Sequence, residues 1–257
     1  MSEILRLKNI SHRYHGRTGE TEAIRSMDLV VNEGEFFGIV GPSGSGKTTL
    51  LSILAGILTP SSGTVERGIL PAEIGYMLQR DHLFEWRTIE DNVLLGLEIR
   101  KIKTKERVGY ALDLLRKYSL GDFLKKKPSE LSGGMRQRVA LIRTLALRPK
   151  LILLDEPFSA LDFQTRLNVA EDVRNIILEE GVTAILVTHD ISEAIALCDK
   201  IAVLSARPAN VKKVFDNPIE KSLSSIERRE DPSFAALFKD VWKELEFTDD
   251  KGNEIGQ

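Results

Sequence analysis

The pattern of hydrophobic and polar positions changes several times along the 257 residues of the chain. Residues 4–10 and 27–31 alternate apolar and polar side chains, which predicts two half-buried antiparallel strands. Residues 16–22 lie between them and are expected to form the joining loop. Later runs are uniformly apolar, which is typical of short parallel strands covered on both faces. These runs are 36–40, 151–154 and 184–187.

Helical periodicity follows the first apolar run and fills the middle of the chain. Apolar residues recur at helical spacing from 50 to 54, so that strand, loop and helix follow one another there. Residues 89–129 also have helical periodicity, carry many charges and contain no convincing strand. We therefore expect an inserted helical subdomain at about residues 89–147.

Capping residues indicate the limits of the later helices. Ser132 is expected to begin one helix, which Pro149 closes. Residues 164–180, followed by Gly181, predict a crossover helix between two of the parallel strands. Residues 233–245 predict a final amphipathic helix.

These elements predict an α/β fold with a mainly parallel sheet, an N-terminal antiparallel β subdomain and the inserted helices. We expect a single domain over residues 1–246 and a polar tail over residues 247–257. The chain contains no internal repeat.

Composition excludes several classes of function. The net charge is −2, with 36 Lys and Arg against 38 Asp and Glu, so no basic field predicts nucleic acid as a partner. The single cysteine, Cys198, excludes an internal disulfide framework and fits a reducing compartment. We find no signal segment and no run of about 18 apolar residues. The chain is therefore expected neither to span a membrane nor to be exported.

The first candidate for chemistry is the sequence Gly-Pro-Ser-Gly-Ser-Gly-Lys-Thr at residues 41–48. It fits the pattern G-x-x-x-x-G-K-[ST], in which backbone N–H groups approach phosphates. Lys47 would neutralise the β- and γ-phosphates, and Thr48 would ligate Mg²⁺. A plain glycine-rich turn is the alternative, but a predicted strand precedes the motif and a predicted helix follows it. The predicted nucleotide contacts are Gly41, Pro42, Ser43, Gly44, Ser45, Gly46, Lys47, Thr48 and Thr49.

Two carboxylates follow the apolar run at 151–154. Asp155 stands at the carboxyl end of a predicted buried strand, where α/β sheets hold their ligands, and would hold Mg²⁺ through water. Glu156 would polarise an attacking water as a general base. If residues 41–48 did not form a glycine loop, an ordinary turn would be the better interpretation of Asp155 and Glu156.

Two further polar residues follow apolar strands. Gln79 ends the run at 74–78 and His189 follows the run at 184–187, so both are expected at the same edge of the sheet. Each side chain can hydrogen-bond around a γ-phosphate. For either residue alone, a surface or satisfied core position is the alternative.

A second anion cradle is predicted at residues 131–138, which read Leu-Ser-Gly-Gly-Met-Arg-Gln-Arg. Ser132, Gly133 and Gly134 open a helix, so they offer free backbone N–H groups and a positive dipole end. Because residues 41–48 already supply one cradle, the second is expected to serve a nucleotide held mainly by another copy of the chain. Asp162 is either a helix cap or a contact to that second copy.

In this order, the motifs resemble those of the nucleotide-binding subunits of ABC transporters, over roughly residues 5–204. The resemblance implies a P-loop NTPase fold with an ABC-type core, ATP and Mg²⁺ as ligands, and a head-to-tail dimer. It also implies Mg²⁺ ligation by Thr48, Gln79 and Asp155. Its assignments are Walker A at 41–48, the Q-loop at Gln79, the signature at 131–137, Walker B at Asp155, the catalytic glutamate at Glu156, the D-loop at Asp162 and the switch histidine at His189.

The same family stacks an early aromatic residue on adenine. Tyr14 is the expected residue, and His12 and His15 are alternatives. Tyr14 also has a simpler interpretation, as the residue that closes the first strand.

Residues 79–88 contain three bulky apolar side chains in an expected surface loop, namely Leu83, Phe84 and Trp86. Such a cluster often marks a contact site. The alternative is that it packs under the helical subdomain. In ABC importers this region resembles part of the groove that contacts the membrane-spanning permease. Residues 86–88 and 91–93 are similar to the nitrate, sulfonate and taurine importer branch, although Glu85 replaces its usual Pro.

The resemblance therefore implies an ATPase subunit at the cytoplasmic face of the membrane, which energises import of a small organic or inorganic anion. Its implied partners are a second copy, permease subunits and, indirectly, a solute-binding protein. One alternative is a soluble ABC-type ATPase in nucleic-acid repair or translation. A non-ABC phosphate-loop kinase is another, but it would leave residues 131–138 unexplained.

Overall fold

The computed structural model of the protein describes residues 2–16 and 19–246. The described chain forms two compact units. The first unit contains the described residues of 1–71 and 183–257, and the second contains residues 72–182. The predicted polar tail at 247–257 lies outside the described residues.

The described residues form nine strands and eight α-helices. The strands are β1 (Glu3–Gly16), β2 (Gly19–Asn32), β3 (Phe36–Val40), β4 (Ser62–Arg67), β5 (Ile74–Met77), β6 (Leu151–Asp155), β7 (Thr183–Thr188), β8 (Lys200–Leu204) and β9 (Val211–Asp216). The helices are α1 (Lys47–Leu54), α2 (Ile89–Ile99), α3 (Lys105–Lys117), α4 (Gly133–Leu145), α5 (Phe163–Glu179), α6 (Ile191–Leu197), α7 (Ser225–Glu230) and α8 (Pro232–Glu246).

An antiparallel sheet opens the first unit. Strand β1 pairs with β2 on one side and with β4 on the other, which confirms the predicted antiparallel strands. The predicted loop at 16–22 is wrong, because His15 pairs with Glu20 and Gly16 with Gly19. Residues 19–21 are exposed, so this end of the hairpin lacks the apolar alternation that reveals a half-buried strand.

Parallel strands form the rest of the first unit's core. Strand β3 pairs in parallel with β7 and with β8, and β9 adds an antiparallel edge to β8. Every residue of β3 and β7 is buried, as predicted from the apolar runs at 36–40 and 184–187. Helix α6 packs against β3. The ends of these strands carry His189 and residues 41–48, the predicted phosphate-binding loop, called the phosphate loop below.

The second unit combines a parallel strand pair with four helices. Strands β5 and β6 pair in parallel, and α4 packs against β5. The helical prediction for 89–129 is confirmed by α2 and α3, and those for 132–149 and 164–180 by α4 and α5. Each of these helices begins after a side-chain cap that accepts a backbone hydrogen bond. The caps are Thr88, Thr104, Ser132 and Asp162.

The chain returns to the first unit for its last helices. Helix α8 confirms the prediction for 233–245, and it packs on α6, β8 and β9. The sequence pattern does not predict β4, β8, β9, α6 or α7. Strands β4 and β9 are largely exposed, so they carry little of the apolar periodicity on which such predictions depend. No helix in the described part of the chain is long and apolar enough to cross a membrane.

Candidate nucleotide site

The phosphate loop lies between β3 and α1 in the first unit. Gly44 and Gly46 adopt φ angles of 73° and 97°, a backbone region that favours glycine. A Cβ atom on Gly46 would lie only 3.0 Å from the carbonyl oxygen of Ala23. Helix α1 begins without a side-chain cap. Its first backbone N–H groups therefore suit an anion.

Two buried polar side chains belong to this loop. Lys47 is 7% exposed and its Nζ donates to the carbonyl oxygens of Gly41 and Pro42, both at 2.9 Å. The Ser45 hydroxyl is 1% exposed and has no hydrogen-bond partner among the described residues. A buried ammonium and a buried unpaired hydroxyl fit a polyphosphate, which offers both groups acceptor oxygens.

The structure separates the three candidates for adenine stacking. Tyr14 Oη lies 3.1 Å from Thr49 Oγ1, in the helix that follows the phosphate loop, and its side chain remains half exposed. The His12 ring is buried and packs edge-on against Tyr14, with 4.7 Å between centroids. His15 is exposed and pairs with Glu20. Position therefore favours Tyr14, which stays a prediction.

His189 follows the last residue of β7 and is exposed. It lines a cavity of about 210 Å³ together with Gly41, Pro42 and Ser43 of the phosphate loop. The other lining residues come from the C-terminal helix α8: Trp242, Leu245 and Glu246. Sequence reasoning missed this neighbourhood. The amphipathic pattern predicts that α8 packs, but it does not identify the surface against which it packs.

The predicted carboxylates stand at the end of β6 in the second unit. Asp155 is 6% exposed and accepts a hydrogen bond from Tyr76 Oη at 3.2 Å. Glu156 has a φ of 43°, in the left-handed region that non-glycine residues rarely adopt. Such strained positions persist where the surrounding structure holds them, often at functional sites.

A serine that the sequence did not single out connects Glu156 with Gln79. Ser159 Oγ donates to the Glu156 carbonyl oxygen at 3.0 Å, and Gln79 Nε2 donates to Ser159 Oγ at 3.3 Å. Gln79 itself is exposed. The structure thus brings the predicted Q-loop residue next to the turn that carries the predicted base.

The signature residues open α4 as predicted. Ser132 Oγ accepts from the Met135 N–H at 3.3 Å, and both Ser132 and Gly133 are exposed. Gly134 is buried, and a Cβ there would lie 2.7 Å from Val169 Cγ2 on α5. Ser132 and Gly133 therefore remain available to a ligand, whereas Gly134 is required by packing within the chain.

Asp162 is the N-cap of α5. Its carboxylate accepts from the Thr165 N–H at 3.0 Å, and this bond lowers the pKa of Asp162. The helix-cap interpretation is therefore correct, and the side chain is exposed. The contact to a second copy stays a prediction.

The apolar side chains of residues 79–88 divide between the two predicted roles. Leu83 is 7% exposed and packs inside the unit, whereas Trp86 is 72% exposed with its ring 4.8 Å from that of Phe84. Buried Asn92 fixes the segment, because its side chain accepts from the Phe84 N–H at 2.7 Å and donates to the Phe84 carbonyl at 3.1 Å. Trp86 is thus exposed on a loop whose backbone is held by hydrogen bonds to Asn92.

An ion pair connects residues 79–88 to α4, which is called the signature helix because the signature residues open it. Arg136 donates to both carboxylate oxygens of Asp81, at 2.8 and 3.2 Å, and also pairs with Glu85 at 2.7 Å. Arg143 donates to the carbonyl oxygens of Asp81 and His82. Burial of Asp81 would raise the pKa of its carboxyl group. The hydrogen bond from Arg136 outweighs burial and holds this pKa below its usual value. Sequence reasoning missed this link.

We expect Asp81→Asn to lower the free energy of unfolding by about 1–2 kcal/mol at neutral pH, because it removes the carboxylate that binds Arg136 through two hydrogen bonds and leaves only Glu85 as an anionic partner. The lowered pKa means that this stabilisation is present above the ordinary aspartate pKa of 3.8 and disappears as the pH falls through the folded-state value. Urea unfolding of the unmodified chain and of Asp81→Asn, at pH 7 and at about pH 3, measures the difference in their free energies of unfolding.

The control variant is Asp113→Asn, whose partner Arg116 is bound at 2.7 Å on a largely exposed helix face. This change should cost below about 0.5 kcal/mol. Equal effects of the two substitutions, or an undiminished difference at acid pH, would contradict the interpretation of the Asp81 pair.

A comparison with known protein families matches residues 24–159 to the model described as ABC transporter. The uncharacterized ABC transporter ATP-binding protein YtlC of Bacillus subtilis is 48% identical over 247 residues, which cover 94% of this chain and 95% of that protein. The aliphatic sulfonates import ATP-binding protein SsuB of Bacillus cereus is 36% identical, with coverage of 94% and 95%. The nitrate import ATP-binding protein NrtD of a Synechocystis strain is 39% identical, with coverage of 81% and 80%.

Solved structures agree with this family. The dimeric post-hydrolysis state of the ATP-binding cassette MJ0796, bound to ADP and Pi, superposes with a TM-score of 0.70 at 31% identity. The alignment covers 84% of this chain and 100% of that chain. The predicted α/β P-loop fold of the ABC type is thereby confirmed. The chain belongs to the ABC transporter family as one of its ATP-binding proteins, and it is an ATPase.

Proposed function

We propose that this chain is the ATP-hydrolysing subunit of an ABC importer. Two copies form a head-to-tail dimer, in which ATP binding and hydrolysis are coupled to transport of a small organic or inorganic anion by membrane partners. The observation that carries the proposal is that one chain contains two segments suited to bind anions, one around buried Lys47 and an exposed one at Ser132 and Gly133. The names of the sulfonate and nitrate import relatives support the class of cargo.

Residues 41–49 bind the triphosphate in this proposal. Backbone N–H groups of the loop and Lys47 contact the phosphates, and Tyr14 stacks on adenine. Thr48, Gln79 and Asp155 supply oxygen ligands, which Mg²⁺ prefers. When bound, Mg²⁺ neutralises charge on the β- and γ-phosphates.

No group of three or more His, Cys, Asp or Glu side chains that could hold a metal occurs among the described residues. In the proposal, Mg²⁺ would draw its remaining ligands from phosphate and water.

Hydrolysis begins with a water molecule held by Glu156 and His189. Its oxygen bonds to the γ-phosphorus, the bond between that phosphorus and the bridging oxygen breaks, and Glu156 receives the proton. The N–H groups at Ser132, Gly133 and Gly134 of a second copy stabilise charge on the γ-phosphate oxygens. Asp162 contacts that second copy. ADP and phosphate then leave an open dimer.

The segment at 79–88 is the proposed contact to the permease. Exposed Trp86 supplies a large apolar anchor of the kind that dominates binding energy at interfaces. The ion pair between Asp81 and Arg136 connects the same segment to the signature helix. Movement of the dimer would thus reach permease subunits at the cytoplasmic face of the membrane, and indirectly a solute-binding protein.

We expect Trp86→Ala to reduce co-purification with permease subunits at least about tenfold, since it removes the exposed anchor. ATP hydrolysis by the isolated subunit should be unchanged. The measurement is affinity purification from detergent-solubilised membranes, with mass spectrometry to identify a polytopic partner and a parallel assay for bound RNA or DNA.

Ile99→Ala is the matched control, because Ile99 is 72% exposed in the same unit but lies outside the 79–88 segment. Equal recovery of the permease with Trp86→Ala and with Ile99→Ala would contradict the proposed contact. Recovery of nucleic acid in place of a membrane protein would favour a soluble ATPase of repair or translation.

Uptake of sulfonate, taurine or nitrate into proteoliposomes containing the recovered complex tests the class of cargo.

A further inference from the structure

The turn between β8 and β9 contacts the phosphate loop through one side chain. Arg207 donates from Nε and Nη2 to the carbonyl oxygen of Gly44, at 3.2 and 3.0 Å. The two residues are 163 positions apart in the chain. None of the motifs assigned above includes Arg207.

The turn that carries Arg207 is firmly held. Ser205 N–H donates to the Asn210 carbonyl at 3.0 Å, and Asn210 N–H donates to Ser205 Oγ at 3.0 Å. Buried Ala209 donates to the Ala23 carbonyl at 2.9 Å. The turn is therefore anchored to β2 at the residue whose carbonyl also adjoins Gly46. The backbone of the turn that carries Arg207 is thus held in place by hydrogen bonds.

The contact controls the orientation of one peptide group. A trans peptide is planar, so the Ser45 N–H points away from the Gly44 carbonyl that Arg207 holds. On that opposite side, the Ser45 N–H donates within the loop to the Pro42 carbonyl at 3.2 Å. Gly44 has a φ of 73° and carries no side chain to restrict rotation. Arg207 therefore supplies a restraint that the glycine lacks.

The same side chain brings a permanent positive charge to the loop. A guanidinium remains protonated at all physiological pH values and has five N–H donors, of which two contact Gly44. Within residues 2–16 and 19–246, the hydrogen bonds of the Arg207 guanidinium both go to the Gly44 carbonyl oxygen. Its positive charge therefore lies at the phosphate loop, on the side of the Gly44 carbonyl oxygen.

We propose that Arg207 is a positioning residue for ATP. It holds the Gly44–Ser45 peptide in the orientation in which the Ser45 N–H bonds to Pro42 within the loop, and it thereby maintains the loop conformation that receives the phosphates. The inference rests on the proposed role of residues 41–49 as the phosphate site. It adds to Lys47 a second cation, which acts through the loop backbone.

The test measures binding of ATP and ADP to the full chain by fluorescence titration, together with steady-state ATPase kinetics. Arg207→Gln should weaken ATP binding about tenfold and raise KM by a similar factor, while kcat changes less than about twofold. ADP binding should weaken less, because ADP carries less negative charge. Arg207→Lys retains the charge without the fork and should recover part of the loss.

Two controls separate the possible failures. Arg25→Gln removes another exposed arginine of the first unit, which pairs with Glu22, and should bind ATP as the unmodified chain does. Lys47→Ala should lose ATP binding; if it does not, the proposed phosphate site itself is wrong. If Lys47→Ala loses ATP but Arg207→Gln binds it within twofold of the unmodified chain, only the role of Arg207 is overturned. Equal losses of ATP and ADP, with no recovery in Arg207→Lys, would also overturn it.

Discussion

Substitution of Glu156 by Gln is expected to abolish steady-state ATP hydrolysis while the protein still binds ATP and accumulates as a closed dimer. The glutamine keeps the size of the side chain but cannot accept the proton of the attacking water. Loss of a general base typically costs a factor of about 10²–10⁴ in rate. Phosphate release measures the turnover, and light scattering with bound ATP measures the dimer.

The backbone conformation of Glu156 supports the choice of this carboxylate as the base. Glu156 follows β6 with a φ of 43°, and Ser159 Oγ donates to its carbonyl oxygen at 3.0 Å. Glu106→Gln is a suitable control, because Glu106 is an exposed acidic residue of the same unit that pairs with Arg148. Normal turnover by Glu156→Gln would show that another group is the base.

Substitution of Ser132 by Arg is expected to reduce turnover by at least about 10²-fold while the monomer binds ATP with unchanged affinity. Ser132 is exposed at the start of α4, so an arginine there would occupy the space proposed for the γ-phosphate of a second copy. The phosphate loop of the same chain is unaltered. Nucleotide titration and size-exclusion chromatography with ATP distinguish binding from dimerisation.

Mixing two inactive variants sharpens this test. A dimer of Ser132→Arg with Lys47→Ala contains one composite site in which both the phosphate loop and the signature are unaltered. Partial recovery of hydrolysis on mixing is therefore expected. Ser132→Thr retains the hydroxyl that caps α4 and should remain active. Unchanged turnover by Ser132→Arg, or no recovery on mixing, would contradict a composite site.

The sequence predicts those parts of the fold that have a local signature. Strands β3 and β7 are wholly buried, so each appears as an uninterrupted apolar run. Helix α4 carries its own start signal in Ser132. The phosphate loop is predictable for the same reason, because its glycines and Lys47 are neighbours in the chain. By contrast, exposed β4 and β9 have no such periodicity.

Contacts between distant residues leave no local pattern. Arg136 and Asp81 are 55 positions apart, and Arg207 and Gly44 are 163 positions apart. The sequence assigns neither arginine a partner, and only the folded chain supplies one. The presence of Trp242 beside the phosphate loop has the same origin, since an amphipathic helix specifies its apolar face but not the neighbour that covers it.

The close approach of α5 to Gly134 separates two kinds of constraint on the signature. Any larger residue at Gly134 would first disturb Val169 of its own chain, whatever a second copy does. An inactive Gly134 variant would thus confound folding with assembly, whereas Ser132 has no comparable obstruction. Mutational scans of this motif should accordingly be interpreted position by position. Tolerance at Ser132 reports on the cap of α4 and on the proposed contact with a second copy, whereas tolerance at Gly134 reports first on the interior of this chain.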